Sequence, residues 1–252
     1  MPAKRSIVVM LLGALTLLAG GCGSGAEAGK GTVTVFAAAS LTGAFTELGQ
    51  AYERARPGTR VRFNFGSSAT LAQQLVQGAP ADVFAAASPA TMKTVTDAGL
   101  AGPAAVFARN KLRIAVPKDN PAGVDSLADL ADPKVKVALC AEQVPCGAAA
   151  VKALAAAGLK VKPVTLEQDV KATLAKVELG EVDAALVYQT DVLASGGKVA
   201  GLSFPEADQA VNDYPIVVLT RAPDAEGARG FVELVRSAQG QAVLAKAGFQ
   251  TS

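Results

Sequence analysis

Several short segments put a hydroxyl or a backbone N–H where a strand hands over to a helix, and that combination suits a bound anion. In Ala37-Ala38-Ala39-Ser40-Leu41-Thr42 the alanines let a ligand approach the backbone, and Ser40 brings an N–H and a hydroxyl. Gly66-Ser67-Ser68 is a second turn of this kind. Val144-Pro145-Cys146-Gly147 opens an alanine-rich helix and offers the Cys146 N–H; Asp169-Val170 opens another, in which Asp169 as N-cap leaves the Val170 N–H free. Tyr188 ends the apolar strand Ala184 to Tyr188. Each helix start carries about half a positive elementary charge with unsatisfied N–H groups, so several converging on one cleft can hold a dianion without Lys or Arg. Each residue also has a plainer role open to it: the serines and Asp169 as caps of their own helices, Tyr188 as a core aromatic with a satisfied hydroxyl. Ala85-Ala86-Ala87-Ser88 copies the first motif, but Pro89 removes an N–H an anion would need, so Ser88 reads as structural only.

Other chemistries are excluded by what is missing. The chain of 252 residues has no His, which removes Ser-His-Asp and Cys-His catalysis and His-ligated zinc. Its three cysteines, Cys22, Cys140 and Cys146, cannot build a four-thiolate metal site, and no Cys-x-x-Cys occurs. No bare metal site and no cofactor is expected. Removing residues 1–21 takes away Lys4 and Arg5 and leaves basic and acidic side chains balanced; with no Trp and no basic run, nothing marks a nucleic-acid binder. A thiol-redox enzyme using Cys140 and Cys146 is an alternative, opposed by their wide spacing and the lack of a neighbouring base. A purely structural surface lipoprotein is another.

The N-terminus gives the compartment. Lys4-Arg5 and the apolar run Ile7 to Leu18 have the form of a secretory signal and are too short to span a bilayer comfortably. Leu18-Ala19-Gly20-Gly21-Cys22 resembles the lipobox of bacterial lipoproteins, although Ala19 stands where a larger aliphatic residue is preferred. The expectation is a signal peptide over 1–21, an acylated Cys22, and a glycine-rich tether over 22–31 holding the body at the outer face of the cytoplasmic membrane.

Positioning these turns falls to alternating strands and helices. Strands are predicted at Val33 to Phe36, Val61 to Phe65 and Asp82 to Phe84, and a second series at Leu112 to Val116, Val135 to Leu139, Val161 to Val164 and Ala184 to Tyr188. A strand from Ile216 to Leu219 and two amphipathic helices end the chain. The fold class is α/β, with two lobes of mainly parallel sheet flanked by helices: lobe I over 32–112 plus 214–252, lobe II over 113–213, and the ligand in the cleft between them, at the C-terminal ends of strands.

These segments together resemble the periplasmic molybdate-binding family, the substrate-binding component of molybdenum ABC transporters. Val33 to Thr42, Ser67 to Leu71, Gly78 to Phe84, Val144 to Gly147, Glu167 to Val170, Leu186 to Tyr188, Tyr214-Pro215 and Ala247 to Phe249 carry the likeness over roughly 32–250. The resemblance implies a periplasmic-binding-protein fold of type II and a monomeric carrier, not an enzyme. It would take molybdate, and tungstate, to a permease and its ATPase. The implied ligands are the hydroxyl and N–H of Ser40 and Ser68, the N–H groups of Cys146 and Val170, and the Tyr188 hydroxyl, with molybdenum present only inside the oxyanion. Sulfate, thiosulfate or phosphate is the alternative cargo. The family often has Ala where this chain has Cys146; Cys140, six residues earlier, suggests a disulfide that would fix the Cys146 N–H, two free thiols being the other possibility.

Overall fold

The computed structural model describes residues 31–251. The signal segment, Cys22 and the tether as far as residue 30 lie outside the described residues.

The first run of the chain alternates β1 (Thr32–Ala38), α1 (Thr42–Ala55), β2 (Arg60–Gly66), α2 (Ser68–Val76), β3 (Val83–Ala85), α3 (Pro89–Asp97) and β4 (Ala105–Asn110). A second run follows: β5 (Leu112–Pro117), β6 (Val137–Cys140), α4 (Pro145–Ala156), β7 (Thr165–Glu167), α5 (Val170–Glu178), β8 (Ala184–Tyr188), α6 (Gln189–Ala194) and β9 (Val199–Leu202). The chain then returns through β10 (Asn212–Val218) and closes with α7 (Ala225–Arg236) and α8 (Ala238–Lys246).

Two five-stranded sheets result, ordered β2-β1-β3-β10-β4 and β7-β6-β8-β5-β9. Each contains a single antiparallel strand, β10 in the first and β5 in the second, and in both it fills the fourth place. The antiparallel strand of each sheet is the one that enters directly from the other sheet's part of the chain. Strands covered on both faces read as unbroken apolar runs, and β8, Ala184-Ala-Leu-Val-Tyr188, is buried throughout.

Helix α1 shows how pattern becomes packing: Ala44, Phe45, Leu48 and Tyr52 recur at helical spacing and all are buried. They meet Phe107, Phe231 and Tyr214 on one face of the first sheet, under α1, α7 and α8. Phe36, Phe84, Leu71 and Met92 form the core on its other face. The second sheet has one continuous core containing Ile114, Leu139, Leu174 and Leu186. The buried Asp82 carboxylate accepts from Thr34 N–H and Asp224 N–H, both at 2.7 Å, and so ties β1 to the start of α7.

The strand expected over Val161 to Val164 is not there; the first bond to β6 is from Val164 N–H to the Val137 carbonyl, at 2.9 Å, and β7 runs on from Thr165. Pro163 has no N–H to give the ladder, so the strand starts beyond it.

Candidate functional site

A small cavity opens where the strand ends of the two sheets face each other. The first sheet contributes Ser40 after β1, Ser67 and Ser68 after β2, and Ala87 after β3. The second contributes Pro145 and Cys146 after β6, Asp169 and Val170 after β7, and Tyr188 at the end of β8. All five residues expected to hold a ligand, Ser40, Ser68, Cys146, Val170 and Tyr188, therefore line one space, which has no Lys or Arg in its wall.

On the first wall the serines serve the cavity more than their helices. Ser40, expected at an N-cap position, sits inside a short 3-10 turn (Ala39–Leu41), and Leu41 precedes α1 without any side-chain cap. The Ser40 hydroxyl instead lies 2.9 Å from the Tyr214 hydroxyl, buried. Ser67 is the N-cap of α2, yet its side chain makes no bond to that helix; its Oγ is buried and has no hydrogen-bond partner. An unsatisfied buried hydroxyl is costly, so one facing a cavity marks a place for an acceptor. Ser68 Oγ accepts from the Ala87 N–H at 2.9 Å, which leaves its own hydrogen available.

The second wall is built from backbone. Cys140 and Cys146 are joined by a disulfide, with S–S 2.09 Å and Cα–Cα 5.7 Å, which closes the turn between β6 and α4. A side chain at Gly147 would bring its Cβ within 1.9 Å of the Ala141 carbonyl oxygen, so only glycine allows the turn to fold this tightly. Pro145 stands in the first turn of α4, and Val144 gives no side-chain cap, so the Cys146 N–H is unclaimed by a capping group. At α5 the Asp169 carboxylate accepts from Lys171 N–H at 2.8 Å and Ala172 N–H at 3.0 Å. That cap satisfies the second and third donors of the helix and leaves the first, Val170 N–H, to the cavity.

Comparison with known proteins places this architecture. The family described as bacterial extracellular solute-binding protein matches residues 33–250. A molybdate-binding protein of Mycobacterium tuberculosis is 43% identical over 227 residues, covering 90% of this chain and 87% of that protein. The chain belongs to the bacterial extracellular solute-binding proteins. Among solved structures, the periplasmic molybdate-binding protein of Azotobacter vinelandii superposes with a TM-score of 0.76 at 22% identity, over 87% of this chain and 99% of that one. A sulfate-binding protein of Mycobacterium tuberculosis superposes with a TM-score of 0.74 at 17% identity, over 87% and 86%. These two likenesses show the two-lobed α/β fold. The relatives are solute-binding proteins, not enzymes, and the thiol-redox alternative for Cys140 and Cys146 falls with that finding.

For a solute-binding protein the protonation of the wall decides what can be held. Burial pushes the Tyr188 and Tyr214 hydroxyls above the ordinary tyrosine value, so both keep their hydrogens at neutral pH. Their rings meet edge to face with centroids 6.1 Å apart. Behind Tyr188 lies Asp191, fully buried, whose carboxylate accepts from the Tyr188 N–H at 3.1 Å. Burial raises its pKa to about 6, against the pull of Lys171, whose Nζ is 3.5 Å away. Among the described residues no group of three or more His, Cys, Asp and Glu is placed to hold a metal ion.

Three contributors escaped the sequence reading. Ala87 precedes Ser88, a plain cap, yet the Ala87 N–H orients Ser68. Asn110 and Asn212 are buried beside Tyr214 and Tyr188. The only signal in the sequence was a polar residue at the edge of an apolar strand, which is also what an ordinary strand end looks like.

Proposed function

We propose that this chain is an exported carrier that captures molybdate, with tungstate as its close analogue, between lobe I (32–112 plus 214–252) and lobe II (113–213). It delivers the anion to an ABC permease and its ATPase. The observation that supports this reading most is the composition of the cavity wall: buried hydroxyls and unclaimed helix-start N–H groups from both sheets, with no cationic side chain. Such a wall suits a dianion whose oxygens are each given donors, because neutral donors offset the cost of desolvating it only if every oxygen is satisfied. Ser40 and Ser68 give hydroxyls and N–H groups, Cys146 and Val170 give N–H groups, and Tyr188 gives its hydroxyl. The 43% identity to a molybdate-binding protein supports the choice of cargo. Closure of the two lobes over the anion is a hinge motion at the two crossings of the chain, between β4 and β5 and between β9 and β10. The body is a monomer tethered through acylated Cys22; among the described residues no helix is long and apolar enough to cross a membrane.

Thermal unfolding with molybdate, tungstate, sulfate and phosphate at matched ionic strength tests the reading. Ligand at about a thousandfold its Kd adds about 4 kcal/mol, which raises Tm by on the order of 10 °C in a chain of this size. Shifts with molybdate and tungstate alone are expected. A shift with sulfate or phosphate instead would transfer the site to another tetrahedral oxyanion, a cargo the shared fold of the sulfate-binding protein accommodates.

A further inference from the structure

We propose that Asn212 is a positioning residue that turns the Tyr188 hydroxyl hydrogen into the cavity, so that this part of the wall can donate but not accept. The proposal rests on reading the cavity as an oxyanion site. Asn212 Nδ2 lies 2.7 Å from the Ala87 carbonyl oxygen, 3.4 Å from that of Pro145 and 2.8 Å from Tyr188 Oη. The two carbonyls can only accept, which fixes the amide with its NH2 toward them. Of its two hydrogens one goes to the Ala87 carbonyl and the other to Tyr188 Oη, much nearer than the Pro145 carbonyl, so Tyr188 accepts and its own hydrogen is left for the cavity it lines.

The same logic repeats around the wall. Ser68 Oγ accepts from the Ala87 N–H. Asn110 Oδ1 accepts from Lys111 N–H, which turns Asn110 Nδ2 toward Thr190 Oγ1 at 2.8 Å and Tyr214 Oη at 3.4 Å. Tyr214 then donates to Ser40 Oγ, whose hydrogen is released to the cavity. Asn110 and Asn212 are partners across the β4–β10 ladder, at the two places where the chain crosses between sheets. A donor behind Tyr188, Ser68 and Ser40 thus turns these three hydroxyl hydrogens toward the cavity. An anion that keeps a proton finds no acceptor at Tyr188.

The test measures molybdate and hydrogen arsenate affinity by competitive titration calorimetry on the full chain, in mildly alkaline buffer where both are dianions. Wild type, Asn212→Asp and Asn212→Leu are compared, each also with Tyr188→Phe. Asn212→Asp sets an acceptor oxygen opposite Tyr188 Oη, draws its hydrogen out of the cavity and turns a lone pair inward. The molybdate-to-arsenate affinity ratio is expected to fall by about tenfold or more. Asn212→Leu, which frees the hydroxyl to rotate, gives a smaller fall and carries the test if the Asp variant does not fold. Neither substitution moves the ratio when Tyr188 is Phe. Loosened lobe contacts or an added charge would weaken both dianions alike and leave the ratio unchanged. A ratio unaltered by both substitutions, or altered equally with and without the Tyr188 hydroxyl, overturns the proposal. A wild-type protein that binds neither anion overturns instead the oxyanion reading beneath it.

Discussion

Ala37-Ala38-Ala39-Ser40 and Ala85-Ala86-Ala87-Ser88 are the same four residues at the ends of adjacent parallel strands, with Ala37 and Ala85 in register. They come to different ends. Ser40 is buried at the cavity and bonds to Tyr214 instead of a helix. Ser88 is half-exposed and caps α3, accepting from Thr91 N–H at 3.3 Å, with Pro89 filling the first helical position. The next residue makes the difference: Leu41 lets the chain take a 3-10 turn that points Ser40 inward, whereas proline commits its serine to an ordinary cap. In the second copy only the alanine before the serine reaches the cavity wall, and it serves through its backbone. A motif therefore acquires its role from its successor and from what it faces.

The contrast is broken most severely by removing the inward hydroxyls. Ser40→Ala and Ser68→Ala are each expected to weaken molybdate binding by about 1–3 kcal/mol, read by titration calorimetry, and unchanged affinity in both would remove these serines from the site. A charged buried cap sharpens the comparison next. The raised pKa of Asp191, from 3.8 to about 6, means the folded state holds a proton the unfolded chain has released. Asp191 thus contributes stability below pH 4 that is lost as pH rises toward 6, by roughly 2–3 kcal/mol. Urea unfolding across that window should show the loss in wild type and its absence in Asp191→Asn, whose amide oxygen still accepts from Tyr188 N–H. On the backbone-built wall, replacing both Cys140 and Cys146 by Ser should cost about 2 kcal/mol of stability through loop entropy. It should also weaken binding, because the Cys146 N–H loses its clamp; equal affinity with and without the bridge would show that Gly147 and Pro145 suffice. The smallest effect belongs to Ser88→Ala: about 1 kcal/mol of stability from the lost cap and none in affinity.

Much of this molecule was legible because local rules govern it. Apolar runs at strand and helix periods marked β1, β8, α1 and α7, and Asp169 announced both a cap and the N–H it leaves free. Val161 to Val164 has the apolar residues of a strand, but Pro163 lacks the donor a ladder needs, so β7 begins beyond it. Ser40 was expected to cap a helix because its position allowed it; nothing nearby in sequence could show that Tyr214, 174 residues away, would claim its hydroxyl.

The amino-acid sequence alone determined the α/β alternation, the uncapped or self-capped helix starts and the absence of histidine chemistry, since each depends on residue types or on neighbours within a turn or two of chain. The tertiary structure decided that these starts converge, that Cys140 meets Cys146, and that Asn212 stands behind Tyr188. Those are contacts between the ends of distant strands, fixed by sheet order and by two crossings of the chain. A hydroxyl's direction depends on which donor lies behind it, and only the folded chain puts one there.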